Sequence, residues 1–320
     1  MSGIELGWGL DVILWFQSWR TPFVESLGLF FSFLGSTDFY LVVLPLIFWS
    51  IDERAGLRVG LFFLLSIWLN SVFKMAWRRP RPYMVSTEVD VPPPAIEPSY
   101  GIPSGHAQGT ATLWGAIAVE VKQRWVTVSV IVYTLMMAVS RMVIGTHYPQ
   151  DVIAGLLIGG LLVGLYAWLE PKFNRWITAQ SLLTQIGVVV LGVGFLLILH
   201  PGIIPVSIPP NLTILVTLDD VLSWPVSPAA ALLGTGIGFA LEYHYLRFDA
   251  SGIWWKRALR FVLGMVGLAV LRFGLGALFE GLEPPLVFRL IRYSIIGLWI
   301  GFGAPWLFIK LNLARSAITG

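Results

Sequence analysis

Asp151 to Leu169 reads DVIAGLLIGGLLVGLYAWL, a stretch whose only charged residue is its first. About 20 helical residues cross the hydrocarbon core of a bilayer, so this run predicts a transmembrane helix, with Pro149 placed to open it. Working outward, largely apolar runs with few charges occur near residues 22–34, 38–51, 57–73, 105–121, 125–140, 182–199, 227–246, 258–279 and 287–309. The composition agrees: 56% of the 320 residues are hydrophobic and 12% charged, against about 25% charged in a soluble domain. The expected class is therefore all-α, a polytopic integral membrane helical bundle with nine or so crossings.

Residues 22–51 are interrupted by Gly35, Ser36, Thr37 and Asp38. One broken crossing, a re-entrant pair and two separate helices all fit that pattern. Residues 8–20, with Trp8, Leu14, Trp15, Phe16 and Trp19, read as an interfacial amphipathic segment. No basic residue precedes Arg20, so a cleaved signal peptide is not expected. The chain has no cysteine, which excludes disulfides, thiolate chemistry and cysteine-ligated metals.

Lys and Arg gather in one set of loops: Arg54 and Arg58, Lys122 and Arg124, Lys172 and Arg175, Arg247 to Arg260, and Lys310 with Arg315. That side is expected to be cytoplasmic, and the net charge of +3 reflects this bias instead of a nucleic-acid partner. The opposite side takes residues 200–226, which hold Asp219 and Asp220 but no Lys or Arg, and the loops near 74–104 and 141–150. Small residues four apart, Gly155 with Gly159, Gly160 with Gly164 and Gly297 with Gly301, are expected to pack helices.

Three polar clusters fall on that opposite side. Lys74 closes an apolar run and is followed by Arg78, Arg79, Pro80, Arg81 and Pro82. Pro103, Ser104, Gly105 and His106 open another run, where Ser104 is placed to cap a helix whose first amides face an anion. Ser140 and Arg141 end a third, with His147 and Asp151 beyond them. Taken singly, the cations read as snorkelling side chains, the Ser-Gly as ordinary capping and the histidine as structural. Together they place two of the four histidines beside arginines and a carboxylate.

The three clusters resemble the signature of the type 2 phosphatidic acid phosphatase superfamily, which also includes the vanadium haloperoxidases. Lys-x6-Arg-Pro matches Lys74, Arg81 and Pro82; Pro-Ser-Gly-His matches Pro103 to His106; Ser-Arg-x5-His-x3-Asp matches Ser140, Arg141, His147 and Asp151. The second pair, Arg79-Pro80, does not fit the family spacing. The resemblance implies a six-helix catalytic core, here within residues 1–175, followed by a C-terminal transmembrane extension over residues 176–320. It implies His147 as a nucleophile forming a phosphohistidine, Asp151 as its orienting partner, and His106 as general acid and then base. Lys74, Arg81, Ser104, Gly105 and Arg141 would hold the phosphoryl oxygens. With Asp151 the one carboxylate in the motifs, no metal and no other cofactor are expected.

A site at helix ends on a membrane face suits a lipid phosphate whose tail stays in the bilayer. The expected activity is integral-membrane lipid phosphate hydrolysis, in a plasma or inner membrane, with the site extracytoplasmic. A lipid phosphotransferase using the same histidine and a phosphate-binding lipid transporter or scramblase are the alternatives. The motifs separate neither the lipid nor mono- from diphosphate, and leave the oligomeric state open. Residues 83–102, with Glu88, Asp90 and Glu97, read either as a solvated connector or as a lid whose carboxylates disfavour more highly charged headgroups. Arg272, Glu242, Arg289 and Arg292 are expected to be paired structural groups, and His200 and His244 take no catalytic role.

Overall fold

A computed structural model describes residues 4–202 and 218–317, with side chains described over 7–202 and 223–317. The middle of the 200–226 loop and the side chains of Asp219 and Asp220 lie outside the described residues. The helices are α1 (Ile4–Ser18), α2 (Pro22–Leu34), α3 (Thr37–Ser50), α4 (Glu53–Trp77), α5 (Pro82–Val85), α6 (Gly105–Val121), α7 (Arg124–Val143), α8 (Pro149–Thr178), α9 (Leu182–Leu199), α10 (Leu218–Tyr245), α11 (Trp254–Leu278), α12 (Pro285–Leu298) and α13 (Ala304–Lys310). Two-residue strands, β1 (Phe248–Asp249) and β2 (Arg315–Ser316), pair antiparallel. Among the described residues seven helices are long and apolar enough to cross a membrane, or up to eight with the α2–α3 pair, which bends by 51° at Gly35 and Ser36. Helix α6, at 17 residues, sits at the lower limit for a crossing.

The chain divides into two compact units, Met1–Tyr40 with Leu69–Ala167 and Ile204–Val221, and Leu41–Trp68 with Trp168–Ile203 and Leu222–Gly320. In the first, α7 packs against α6, α2 and α1. Helix α8 shows two faces. Ile153, Leu157, Leu161 and Leu165 recur every four residues and are exposed, as a lipid-facing stripe requires. Gly155 and Gly159 lie on the other side, where a Cβ would come within 2.7 Å of the Ser104 carbonyl and of Ala111 respectively. Gly160 and Gly164 have nothing within 4 Å, so of the two glycine pairs on α8 only the first makes a helix contact.

Helix α1 does more than lie at an interface. Trp8, Trp15 and Trp19 are exposed, but Ile13 is fully buried against Val89 and Tyr148. Its Gln17 donates from Nε2 to the Asp90 carbonyl at 2.8 Å and accepts the Asp90 amide at 3.2 Å, tying down the 86–104 loop.

The second unit is built on an aromatic core of Phe48, Trp49, Phe239, Phe248 and Phe308. Trp49 Nε1 donates to the Ile300 carbonyl at 3.0 Å, and a Cβ at Gly264 would clash with the Trp49 ring. Arg260 is fully buried and donates to the carbonyls of Asp249, Ala250 and Ser251. Glu242 accepts the Phe248 amide at 2.6 Å and is buried, the paired structural role expected for it. Here Gly297 and Gly301 pack on α10 at Thr235 and Gly238.

Candidate active site

Helix α4 ends at Trp77, and Arg78, at φ 48°, turns the chain out of it while its Nε donates to the Met75 carbonyl at 2.9 Å. That turn and the two prolines send the next cations in different directions. Arg81 is fully buried: its Nε donates to the Ser99 carbonyl at 2.7 Å, and its Nη2 donates to Ser99 Oγ and Glu97 Oε2, each at 2.6 Å. Lys74, one turn before the helix end, donates to the Tyr100 carbonyl and stands 3.5 Å from the same Ser99 Oγ. Lys74, Arg79 and Arg81 are all buried, so the snorkelling reading fails for three of the four cations.

Ser104 caps α6, its Oγ accepting the Ala107 amide at 3.4 Å. Its own amide donates to the Asp151 carbonyl at 2.9 Å, which joins the start of α6 to the start of α8. Gly105 faces Asn70, whose Nδ2 donates to Gln108 Oε1 at 2.8 Å. Asn70 lies one turn before Lys74 on α4, and that i, i+4 spacing was the legible sign of it. His106 projects from the first turn of α6, its Nε2 3.2 Å from the Ser32 carbonyl and its Nδ1 3.4 Å from Glu97 Oε1.

His147 follows α7 in a buried turn. Its Nδ1 lies 3.4 Å from Asp151 Oδ2, which also accepts the Tyr148 amide at 3.0 Å. Arg81 Nη1 lies 3.0 Å from His147 Nε2. A guanidinium only donates and a carboxylate only accepts, so the proton belongs on Nδ1 and the lone pair on Nε2. Burial first, then the charges of Arg81 and Lys74, hold His147 well below the ordinary imidazole range, so the ring is neutral. Arg79, the cation the spacing set aside, reaches Asp151 from behind: its Nη1 is 3.7 Å from Oδ1, and its guanidinium lies over the Tyr148 ring at 4.9 Å.

Arg141, fully buried at the end of α7, stands 3.9 Å from Glu97 Oε1, and its Nη1 and Nη2 have no hydrogen-bond partner among the described residues. The structure thus gathers His147, Asp151, Arg81, Arg141, His106 and Lys74 around one pocket. Ser104 and Gly105 are engaged in its framework. Sequence reasoning missed Asn70 and three further contributors: Ser99 and Thr146, which bind Arg81 through a side chain and two carbonyls, and Gly35, where a Cβ would fall 2.5 Å from His106 Cδ2. Glu97 is the carboxylate at the pocket centre. Burial would raise it, but the cations around it, Arg81 first, outweigh that and hold it well below the usual carboxylate range. Among the described residues, no three His, Asp or Glu side chains are grouped to hold a metal ion.

Comparison with known proteins adds the following. Lipid phosphate phosphatase delta of Arabidopsis thaliana is 27% identical over 54% of this chain and 45% of its own. Glucose-6-phosphatase 3 of Bos taurus is 31% identical over 45% of this chain and 48% of its own, so the chain spans about half the length of these curated relatives. Glucose-6-phosphatase catalytic subunit 1 of Felis catus is 26% identical over 80% of this chain and 79% of its own. A solved structure, the first transmembrane PAP2 type phosphatidylglycerolphosphate phosphatase from Bacillus subtilis, covers 53% of this chain and 88% of its own at 24% identity, with a TM-score of 0.46. The PAP2 superfamily model matches residues 55–175, and the model for the transmembrane extension of PAP2 superfamily phosphatases matches residues 226–316. With two family models matched in order over some two thirds of its length, the first spanning every motif residue from Lys74 to Asp151, this chain belongs to the PAP2 superfamily.

Proposed function

We propose that this chain is an integral-membrane lipid phosphate phosphatase that works through a phosphohistidine on His147, with no metal ion. The observation that carries this reading is the environment of His147: a neutral ring whose Nδ1 faces Asp151 and whose Nε2 lone pair points to the Arg81 guanidinium, the group that would bring a phosphoryl oxygen beside it. In the first half-reaction His147 Nε2 attacks phosphorus, the ester P–O bond breaks, and His106, entering as the imidazolium with its Nε2–H on the Ser32 carbonyl, gives its Nδ1 proton to the departing alkoxide. Nδ1 is the nitrogen in question because Nε2 faces the Ser32 carbonyl. In the second, His106 takes a proton from water, the oxygen attacks phosphorus and the P–N bond breaks. Arg81 and Arg141, with Lys74, balance the charge that builds on the phosphoryl oxygens. Ser104 and Gly105 contribute by setting the start of α6.

A lipid substrate is supported by the rim. Trp77, Val85 and Ile96 are exposed apolar side chains on the segments that carry Lys74, Arg81 and Glu97. In this reading the site faces away from the cytoplasm, because the Lys- and Arg-rich loops lie at the other ends of the helices. A second reading, hydrolysis of a soluble sugar phosphate, is favoured by one observation: the glucose-6-phosphatase catalytic subunit matches 80% of this chain, including the extension, against 54% for the plant lipid phosphatase.

The test is phosphate release by purified protein in a chelator, across lipid mono- and diphosphates and glucose 6-phosphate, beside His147→Ala. Release lost by a factor on the order of 10³ or more in the variant is expected. Equal release from both proteins, or rescue only by magnesium, overturns the mechanism; a preference for glucose 6-phosphate selects the second reading.

A further inference from the structure

We propose that Glu97 is an internal anion that occupies the phosphoryl clamp when it is empty, and that substrate and product phosphate bind by displacing it. The inference rests on the reading of this pocket as the phosphoryl site. Glu97 Oε2 accepts from Arg81 at 2.6 Å, while Oε1 lies 3.4 Å from His106 Nδ1 and 3.9 Å from Arg141 Nη1. One carboxylate thus faces the three groups that a phosphoryl group would need. It satisfies the cations incompletely, since both terminal nitrogens of the buried Arg141 remain without a hydrogen-bond partner among the described residues. Two buried guanidinium nitrogens without acceptors are costly, so the space is suited to an anion with more oxygens than a carboxylate has.

The loop is built to let the side chain leave without opening. Tyr83 Oη donates to the Glu97 carbonyl at 3.0 Å and accepts the Glu97 amide at 3.3 Å, which pins the backbone. Arg81 keeps Ser99 as a partner through both its Nε and its Nη2. The Glu97 side chain is 30% exposed, so rotation about its own bonds carries the carboxylate to water. Glu88 and Asp90, on the same loop, are not in the clamp; Asp90 is held by Arg20 and Gln17.

A single internal competitor raises the apparent dissociation constant of every anion by the same factor, one over the fraction of protein whose clamp is free. Glu97 therefore does not sort headgroups by charge, as a repelling lid would. It weakens product phosphate as much as substrate, which hastens release after the P–N bond is broken.

Calorimetric titration of the detergent-solubilised full chain with inorganic phosphate and with methylphosphonate tests this without turnover. In Glu97→Gln both ligands are expected to bind at least about tenfold tighter, and by factors equal within about threefold. Glu97→Asp, whose carboxylate falls one methylene short of Arg81, should tighten both by a smaller factor, and covers the case in which the glutamine variant does not fold. Unchanged or weaker phosphate binding in a folded variant overturns the proposal, since Glu97 would then support the clamp instead of blocking it. Unequal factors for the two ligands overturn it as well, because Glu97 would be touching the bound anion. If neither ester class is hydrolysed but both variants bind phosphate more tightly, the hydrolase reading fails and the displacement stands.

Discussion

Gly155→Ala adds one methyl group at the point where α8 meets the start of α6. The new Cβ would lie 2.7 Å from the Ser104 carbonyl oxygen, 3.2 Å from Ala107 Cβ and 3.2 Å from the Gln108 amide nitrogen. Two of those neighbours are backbone and cannot swing away, so the helices must part by about 0.7 Å to restore ordinary contact in a close-packed interior. The Ser104 amide to Asp151 carbonyl bond, 2.9 Å long and one turn away, would stretch to about 3.6 Å and cease to be a hydrogen bond. His106 rides on α6 and Asp151 on α8, so the general acid and the orienting carboxylate of the proposed mechanism move apart together. A misplacement near 1 Å costs on the order of 100-fold in rate, so a fall in kcat of roughly 30-fold is expected. Overpacking of this kind also destabilises by about 1–3 kcal/mol. The control is Gly160→Ala on the same helix, where nothing lies within 4 Å; kcat and melting temperature should hold. The assay is steady-state phosphate release with thermal unfolding of both variants. A folded Gly155→Ala protein with kcat within about threefold of the parent refutes the idea that this contact sets the spacing of the site.

Two further expectations follow from the same geometry. A ¹⁵N spectrum should show His147 still neutral at pH 6, where an ordinary imidazole is about three-quarters protonated. Because its pKa is depressed in the folded chain, stability is retained above about pH 6.5 and declines as pH falls below it, when the unfolded chain takes up the proton first; an imidazolium signal for His147 at pH 6 would contradict both statements. Arg79→Gln removes the guanidinium 3.7 Å behind Asp151 without touching the pocket, so kcat should fall by about tenfold, or 1.4 kcal/mol, with phosphate affinity unchanged. Partial recovery in Arg79→Lys would mark a charge effect, and a loss of phosphate binding would show that Arg79 belongs to the clamp.

Much of this was legible in the chain itself, for a physical reason. Transfer of a helix into lipid is a sum over its own residues, so the runs at 105–121, 125–140 and 182–199 reappear as α6, α7 and α9 within a few residues of their expected bounds. The motif residues were readable because the pairing of His147 with Asp151 is local, four positions apart at the entry to one helix. The sequence also showed that residues 22–51 could not be one straight helix, yet it left three arrangements open.

The tertiary structure decided what depends on distant segments meeting. Arg79 and Arg81 are near neighbours in sequence, but only the turn at Arg78 and the convergence of the 97–101 loop and the start of α8 sends one to Asp151 and the other to His147. Nothing in its own neighbourhood distinguishes Glu97 from Glu88 and Asp90 as a loop carboxylate. It enters the clamp because Tyr83 fixes its backbone and three cationic or imidazole groups from α4's end, α6 and α7 surround the space its side chain can reach. Gly35 is required because His106 lies against it across more than seventy residues of chain. Composition and spacing fix which segments are apolar helices and where the polar motifs fall between them, because those are sums over nearby residues; which charges face one another is set by through-space packing that no local pattern encodes.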